Sequence, residues 1–303
     1  MSTVAIVGPT ATGKSAVAMA VARATGNAEI VSVDSMQVYR GMDVGTAKPS
    51  PADRRAVPHH LLDIAEPTED FSVARFQREL APVLAGIRAR DMHALLVGGT
   101  GLYVRAAVDG LSIPGQWPDV RASLEVEDDT AALHGRLLQL DPVAAARMEP
   151  TNRRRIVRAL EVTLGSGRPF SDYGEGLTAY PPTDVAIVGL ALPRDELTVR
   201  IAARFERMLA DGFVAEVEAL VARHGRGALS RTARQALGYR ELLRHVEGGE
   251  PLDAMVEEAV RRTRTFAVRQ ERWFRRDPRI EWLDARLPVG ELAAAVVERL
   301  DEN

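Results

Sequence analysis

The chain has 303 residues, 46% hydrophobic and 27% charged, a balance that allows one large globular domain or a medium one with an insert. With 39 basic and 42 acidic side chains the net charge is −3, which excludes a polycationic nucleic-acid coat and leaves local basic patches as the only grip on RNA or DNA. The absence of cysteine excludes disulfides, thiolate zinc sites and cysteine nucleophiles; no apolar run nears the roughly 18–20 residues of a membrane span and no signal segment opens the chain, so a cytoplasmic protein is expected.

Apolar runs alternate with amphipathic stretches over the first hundred residues. Residues 3–7, 29–33 and 94–97 read as buried strands, and 15–25 and 72–89 as helices. Strands alternating with helices predict βαβ units and a parallel sheet. A turn-rich loop at 109–118 closes this part. Helices are expected at 130–140 and 153–164, and a Gly-, Tyr- and Pro-containing loop leads to Pro181-Pro182. Strand character returns at 185–190. From 195 to 276 the pattern is helical, broken at Asp211-Gly212, near Gly225–Gly227 and at Gly248–Pro251. A short strand at 280–283 and a helix from Glu291 finish the chain. The expected architecture is therefore an α/β core, 1–114 with 184–303, interrupted by a mainly helical insertion at 115–183.

Lysine occurs only at Lys14 and Lys48, so 37 of the 39 basic residues are arginine. A lysine kept against that background points to a task for a compact point charge. Lys14 closes the run Gly8-Pro9-Thr10-Ala11-Thr12-Gly13-Lys14-Ser15, which matches G-x-x-x-x-G-K-[ST] after a predicted strand and before a predicted helix. In such a loop, consecutive N–H groups and a helix N-terminus converge on an anion. Lysine neutralises phosphate oxygens, and the following hydroxyl, Ser15, can ligate Mg²⁺. A polyphosphate or pyrophosphate ligand follows. Kinases and ATPases of this kind carry an acid at the end of a later strand. Here the run Ala94-Leu95-Leu96-Val97 leads instead into Gly98-Gly99-Thr100-Gly101, and the acid, Asp34, follows the second strand. At the C-terminal edge of a parallel sheet Asp34 would share the crevice of the phosphate loop, as a general base or a ligand of Mg²⁺-bound water. A turn-forming role remains open for it.

Beyond the phosphate loop, the blocks Asp34-Ser35-x-Gln37-x-Tyr39, Asp43-Val44-Gly45-Thr46-Ala47-Lys48-Pro49 and Pro58-His59-His60-Leu61-Leu62-Asp63 stand in order with Val97–Tyr103, Arg158-Ala159-Leu160-Glu161-Val162, Gln235-Ala236-Leu237-Gly238-Tyr239-Arg240-Glu241 and Thr265-Phe266-Ala267-x-Arg269-Gln270-x-x-Trp273-Phe274-Arg275. In these blocks the sequence resembles the tRNA dimethylallyltransferases, over residues 8–275. The resemblance implies a P-loop NTPase-like α/β core with a tRNA-binding helical insertion. It also implies transfer of a dimethylallyl group from its pyrophosphate to N6 of the adenosine 3′ of a tRNA anticodon, with Mg²⁺ as cofactor and no protein partner. Two departures are visible: Glu149-Pro150-Thr151-Asn152 stands where family members often have His-Pro-Asn-Asp, and the insertion is somewhat short; the lack of cysteine separately excludes the zinc-finger branch.

An adenine N6 amine is a weak nucleophile, so the transfer needs a nearby base and a leaving group met by positive charge. The resemblance then gives Asp34 as the base, Lys14 and the loop amides as diphosphate ligands, Thr10 as a hydrogen-bond donor to the leaving group and Ser15 as metal ligand. Ser35, Met36, Gln37 and Thr100 fall to reading the flipped-out base or its neighbours. Thr100 reads equally well as a helix cap. Further RNA contacts fall to Arg121, Arg153, Arg154, Gln235, Gly238, Tyr239 and Arg240. The stretch 261–276 holds seven arginines and one acid, Glu271, with Phe266, Trp273 and Phe274 interleaved. Its aromatics read as core and its arginines as an RNA contact. His59 and His60 lack carboxylate or histidine partners at ligand spacing and read as structural. Two other readings use the same residues: a small-molecule kinase with an arginine-rich lid, and a non-catalytic RNA-binding protein with a nucleotide switch. An alkyl transferase acting on free adenine nucleotides would dispense with the basic helices.

Overall fold

The computed structural model describes every residue except Glu175, Thr178 and Asn303, the first two of which fall in the loop read before Pro181. Six strands form one sheet: β1 (Thr3–Val7), β2 (Ala28–Ser32), β3 (His59–His60), β4 (His93–Gly98), β5 (Ala186–Ala191) and β6 (Ile280–Asp284). Their order is β3-β2-β4-β1-β5-β6 and every pairing is parallel. Parallel strands are covered on both faces, so they read as unbroken apolar runs, and alternate residues serve opposite faces. Val4 and Ile6 pack with Leu95, Val97, Val188 and Leu190 on one side. Ala5 and Val7 pack with Val31, Val33, Leu96 and Ile187 on the other. This is the P-loop NTPase-like layering.

Register sets the site. Val7 pairs with Gly98 of β4 and Gly189 of β5, and Ser32 pairs with Val97. The Val33 amide extends that ladder to the Val97 carbonyl at 2.8 Å. The chain therefore leaves β1, β2 and β4 at one edge, and that edge receives the phosphate loop, Asp34 and the Gly98–Thr100 turn together.

Two compact units divide the chain: Met1–Asp109 with Pro182–Asn303, and Gly110–Pro181. The second begins at Gly110 rather than 115 because Asp109 still ends the helix Gly101–Asp109, its carboxylate held by Arg105 and Arg279. Within this second unit, helices Pro118–Glu125, Thr130–Leu140, Pro142–Ala146 and Arg153–Ser166 enclose a core of Leu124, Leu133, Leu137, Ile156 and Leu160. In the first unit the helical C-terminal half resolves into Arg194–Ala210, Phe213–His224, Tyr239–Gly248 and Leu252–Phe274. The breaks fall where Gly212, Gly225 and Gly249 adopt positive φ.

Candidate functional site

The phosphate loop takes its shape from its backbone. Gly8 (φ 138°), Ala11 (φ 65°) and Gly13 (φ 95°) all lie in the positive-φ region, and a Cβ at Gly8 would come within 2.6 Å of the Leu190 carbonyl oxygen on β5. Gly13 opens the helix Lys14–Thr25 without a side-chain cap. Its first amides are therefore free for an anion. The Pro9 carbonyl accepts from the Thr12 hydroxyl at 2.9 Å and from Lys14 Nζ at 2.6 Å. Burial of Lys14, and secondarily the charge of Arg204, lowers its pKa to about 7 against a smaller opposing pull from Asp34.

The loop opens into a cleft of about 1790 Å³. Thr10, Ala11, Gly13, Lys14 and Ser15 line it, as do Asp34, Ser35, Met36, Gln37, Thr100, Gln235 and Arg240. Gly8, Pro9 and Thr12 are buried and outside its lining, and the Thr12 hydroxyl is spent on the Pro9 carbonyl, so these three contribute shape rather than side-chain contact. One oxygen of Asp34 accepts the Met36 amide at 2.8 Å. The turn-forming and cleft-facing readings of Asp34 are thus both realised: one bond aims a carboxylate that remains accessible. The Ser35 and Thr100 hydroxyls meet at 3.4 Å, while the Thr100 carbonyl starts the helix Gly101–Asp109. Arg204 donates to Thr10 Oγ1 at 3.1 Å. A hydroxyl that accepts from a guanidinium keeps its own proton for a ligand.

Several residues assigned to RNA from sequence also have partners within the protein. Gln37 is fully engaged: Oε1 accepts from Ser32 at 2.8 Å, and Nε2 donates to the Thr46 and Ala47 carbonyls at 3.1 and 3.3 Å. It braces the 43–49 loop while lining the cleft. The Tyr239 ring is buried, and its hydroxyl donates to Glu216, whose carboxylate also collects the amides of Asp43, Val44 and Gly45. Burial, with Glu216 beside it, pushes the phenol pKa up and keeps it a donor. Gly238 caps the helix Tyr239–Gly248 against Phe213. Both are buried and support the cleft-lining stretch Gln235–Leu237 and Arg240 from behind, outside the lining itself. Arg121 pairs with Glu125 and Glu161, and Arg153 donates to the Glu125 and Asp128 carbonyls; Arg154 stays exposed with no hydrogen-bond or ion-pair partner among the described residues. His60 does meet a carboxylate, Glu29 at 2.6 Å, brought from a neighbouring strand.

Lys48 is an internal clamp, 1% exposed, donating to Asp43 at 2.7 Å, Asp63 at 2.6 Å and the Tyr39 carbonyl. On the long helix, Phe274 is buried and Trp273 packs on the core, but Phe266 lines the cleft with Arg262 and Arg269. Not all seven arginines there are free: Arg262 pairs with Glu241 at 3.1 Å, and Arg275 lies 4.2 Å over Trp282. Arg204 and Gln270 were given no role from sequence, and Phe266, read there as core, lines the cleft instead. For Arg204 a signal existed, since Arg200, Arg204 and Arg207 recur on one face of the helix Arg194–Ala210 and all line the cleft.

Ser15, Thr10 and Asp34 line the same cleft and offer it oxygen donors with a single carboxylate. That suits Mg²⁺ held largely by substrate phosphates and water. Among the described residues no cluster of His, Asp or Glu could hold a metal unaided.

The family model "IPP transferase" matches residues 37–277, and "Isopentenyl transferase" matches 1–64. The tRNA dimethylallyltransferase of Kineococcus radiotolerans is 52% identical over 98% of this chain and 96% of its own length; that of Thermobifida fusca is 49% identical over 99% and 96%. The crystal structure of full-length tRNA isopentenylpyrophosphate transferase from Bacillus halodurans superposes with TM-score 0.71 at 36% identity, covering 99% of this chain and 97% of that one. A eukaryotic dimethylallyltransferase captured acting on tRNA shares the fold, with TM-score 0.78 at 24% identity over 94% of this chain and 74% of its own.

Proposed function

Because the chain belongs to the IPP transferase family and is a tRNA dimethylallyltransferase in kind, a transferase that prenylates a tRNA adenosine, we propose that its donor is dimethylallyl pyrophosphate and its acceptor the N6 amine of the adenosine 3′ of the anticodon. The supporting observation is the sharing of one cleft by the phosphate loop, the Asp34 carboxylate and the RNA-facing groups Gln235, Arg240 and Arg269. The adenine swings out of its loop to enter it. N6 attacks the allylic carbon, the carbon–oxygen bond to diphosphate breaks, and Asp34 takes the proton that N6 releases. Lys14, Arg204, the Thr10 hydroxyl and the amides after Ala11 meet the growing charge on the leaving diphosphate. Mg²⁺ held beside Ser15 would supply further neutralisation of that charge. Ser35 and Thr100 flank the base. A monomer acting in the cytoplasm completes the proposal; among the described residues no helix is long and apolar enough to cross a membrane.

Incubating the protein with unmodified tRNA, Mg²⁺ and dimethylallyl pyrophosphate, followed by nucleoside mass analysis, tests this reading. The expected product is N6-dimethylallyladenosine at the position after the anticodon. Use of ATP as a phosphoryl donor, with the prenyl donor ignored, would support the kinase reading instead.

A further inference from the structure

Gln270 lies on the helix Leu252–Phe274, lines the cleft beside Arg269, and is 7% exposed. Its amide is used at both ends. Oε1 accepts the Thr10 N–H at 2.9 Å, and Nε2 donates to the Gly99 carbonyl at 2.7 Å. One side chain thus ties together the phosphate loop, the turn after β4 and the helix that carries exposed Arg261, Arg264, Arg269 and Arg272. The contact is closely fitted, because a Cβ on Gly99 would overlap Gln270 Nε2. Glu would set an acceptor against the Gly99 carbonyl, and Leu would lose both bonds.

We infer that Gln270 is a positioning residue that couples RNA docking on the arginine-bearing helix to diphosphate binding in the phosphate loop. The inference rests on the proposed function for the identity of the two ligands. Without a polyanion the outer face of this helix carries like charges that repel one another. RNA phosphates neutralise them and quiet the helix, and Gln270 passes that restraint to Thr10, whose hydroxyl also receives Arg204. The loop then loses less freedom when diphosphate enters. Linkage makes the effect reciprocal, so diphosphate tightens RNA by the same factor.

The test is the affinity of the full chain for inorganic pyrophosphate with and without saturating unmodified tRNA, in the wild type, Gln270→Glu and Gln270→Leu. Saturating tRNA is expected to tighten pyrophosphate binding about fivefold or more in the wild type, and less than about twofold in either variant. Each affinity is also read alone, so that a loss of tRNA binding that follows merely from Gln270 lining the cleft is told apart from a change in the ratio. A purely structural defect would lower the melting temperature and both affinities together while leaving their ratio unchanged. An unaltered ratio in the variants, or no tightening in the wild type, would overturn the inference. Prenyl transfer by the wild type is scored separately, so its failure would count against the proposed function and leave the ratio to decide this point alone.

Discussion

Lys14 carries a charge that depends on its ligand. In the free protein, burial and then Arg204 lower its pKa to about 7. A diphosphate favours the ammonium, so binding above neutral pH must draw in a proton, and affinity falls as pH rises past that value. Pyrophosphate titrations from about pH 6 to about pH 9 should show a decline approaching tenfold per unit on the alkaline side, with proton uptake visible as a buffer-dependent binding heat. A flat profile would mean that Lys14 stays charged without its ligand. Asp34→Asn is the cleaner probe of the base: an amide oxygen still accepts the Met36 N–H, so the turn survives while the proton acceptor is lost. Turnover should drop about 100-fold or more with tRNA affinity nearly unchanged. The phosphate loop and Asp34 were legible because their chemistry is local, a fixed spacing and an acid after a strand. The internal partners of Gln37, Tyr239 and Arg121 were not legible because they come from elsewhere in the chain: the Thr46 carbonyl, Glu216 and Glu161.

Loops and helices around the cleft are held by a few buried polar ties. Lys48 gathers the 43–49 loop with Asp63 through an ammonium shielded from solvent. Lys48→Met should cost about 2–3 kcal/mol in denaturant titration, less than a fully buried pair because Asp43 is half exposed. Gly99→Ala tests the other side of the cleft. Its methyl would displace Gln270 Nε2 and press to 3.2 Å from the Gly8 carbonyl, so a loss of about 1–3 kcal/mol and slower turnover are expected together. Strands and long helices were readable from apolar runs and glycine breaks. A helix after Thr100 was foreseen, but the extent of Gly101–Asp109 was not, because its apolar residues follow β4 across only a short Gly-rich turn. The pair His59–His60 escaped because two residues carry no periodicity, and only pairing with Ile30 and Val31 makes them a strand.

For the molecule as a whole, a net charge of −3 conceals a strongly basic helix. Arg264 and Arg272 are exposed with no ion-pair or hydrogen-bond partner among the described residues, whereas Arg262 is paired with Glu241. Replacing Arg264 and Arg272 with Ala should flatten the salt dependence of tRNA binding, by about 0.7–0.9 in slope for each phosphate that is no longer neutralised. The apparent KM for tRNA should rise while kcat holds. The same change at Arg262 should cost stability as well, since Glu241 would be left buried without its cation. The most direct measurement on the full chain is a crystal soaked with the prenyl donor. Its diphosphate should lie on the amides between Ala11 and Ser15 with Lys14 Nζ against it, and its allylic carbon should face the Asp34 carboxylate. A diphosphate bound elsewhere, or Asp34 turned out of the cleft, would contradict the proposed reaction.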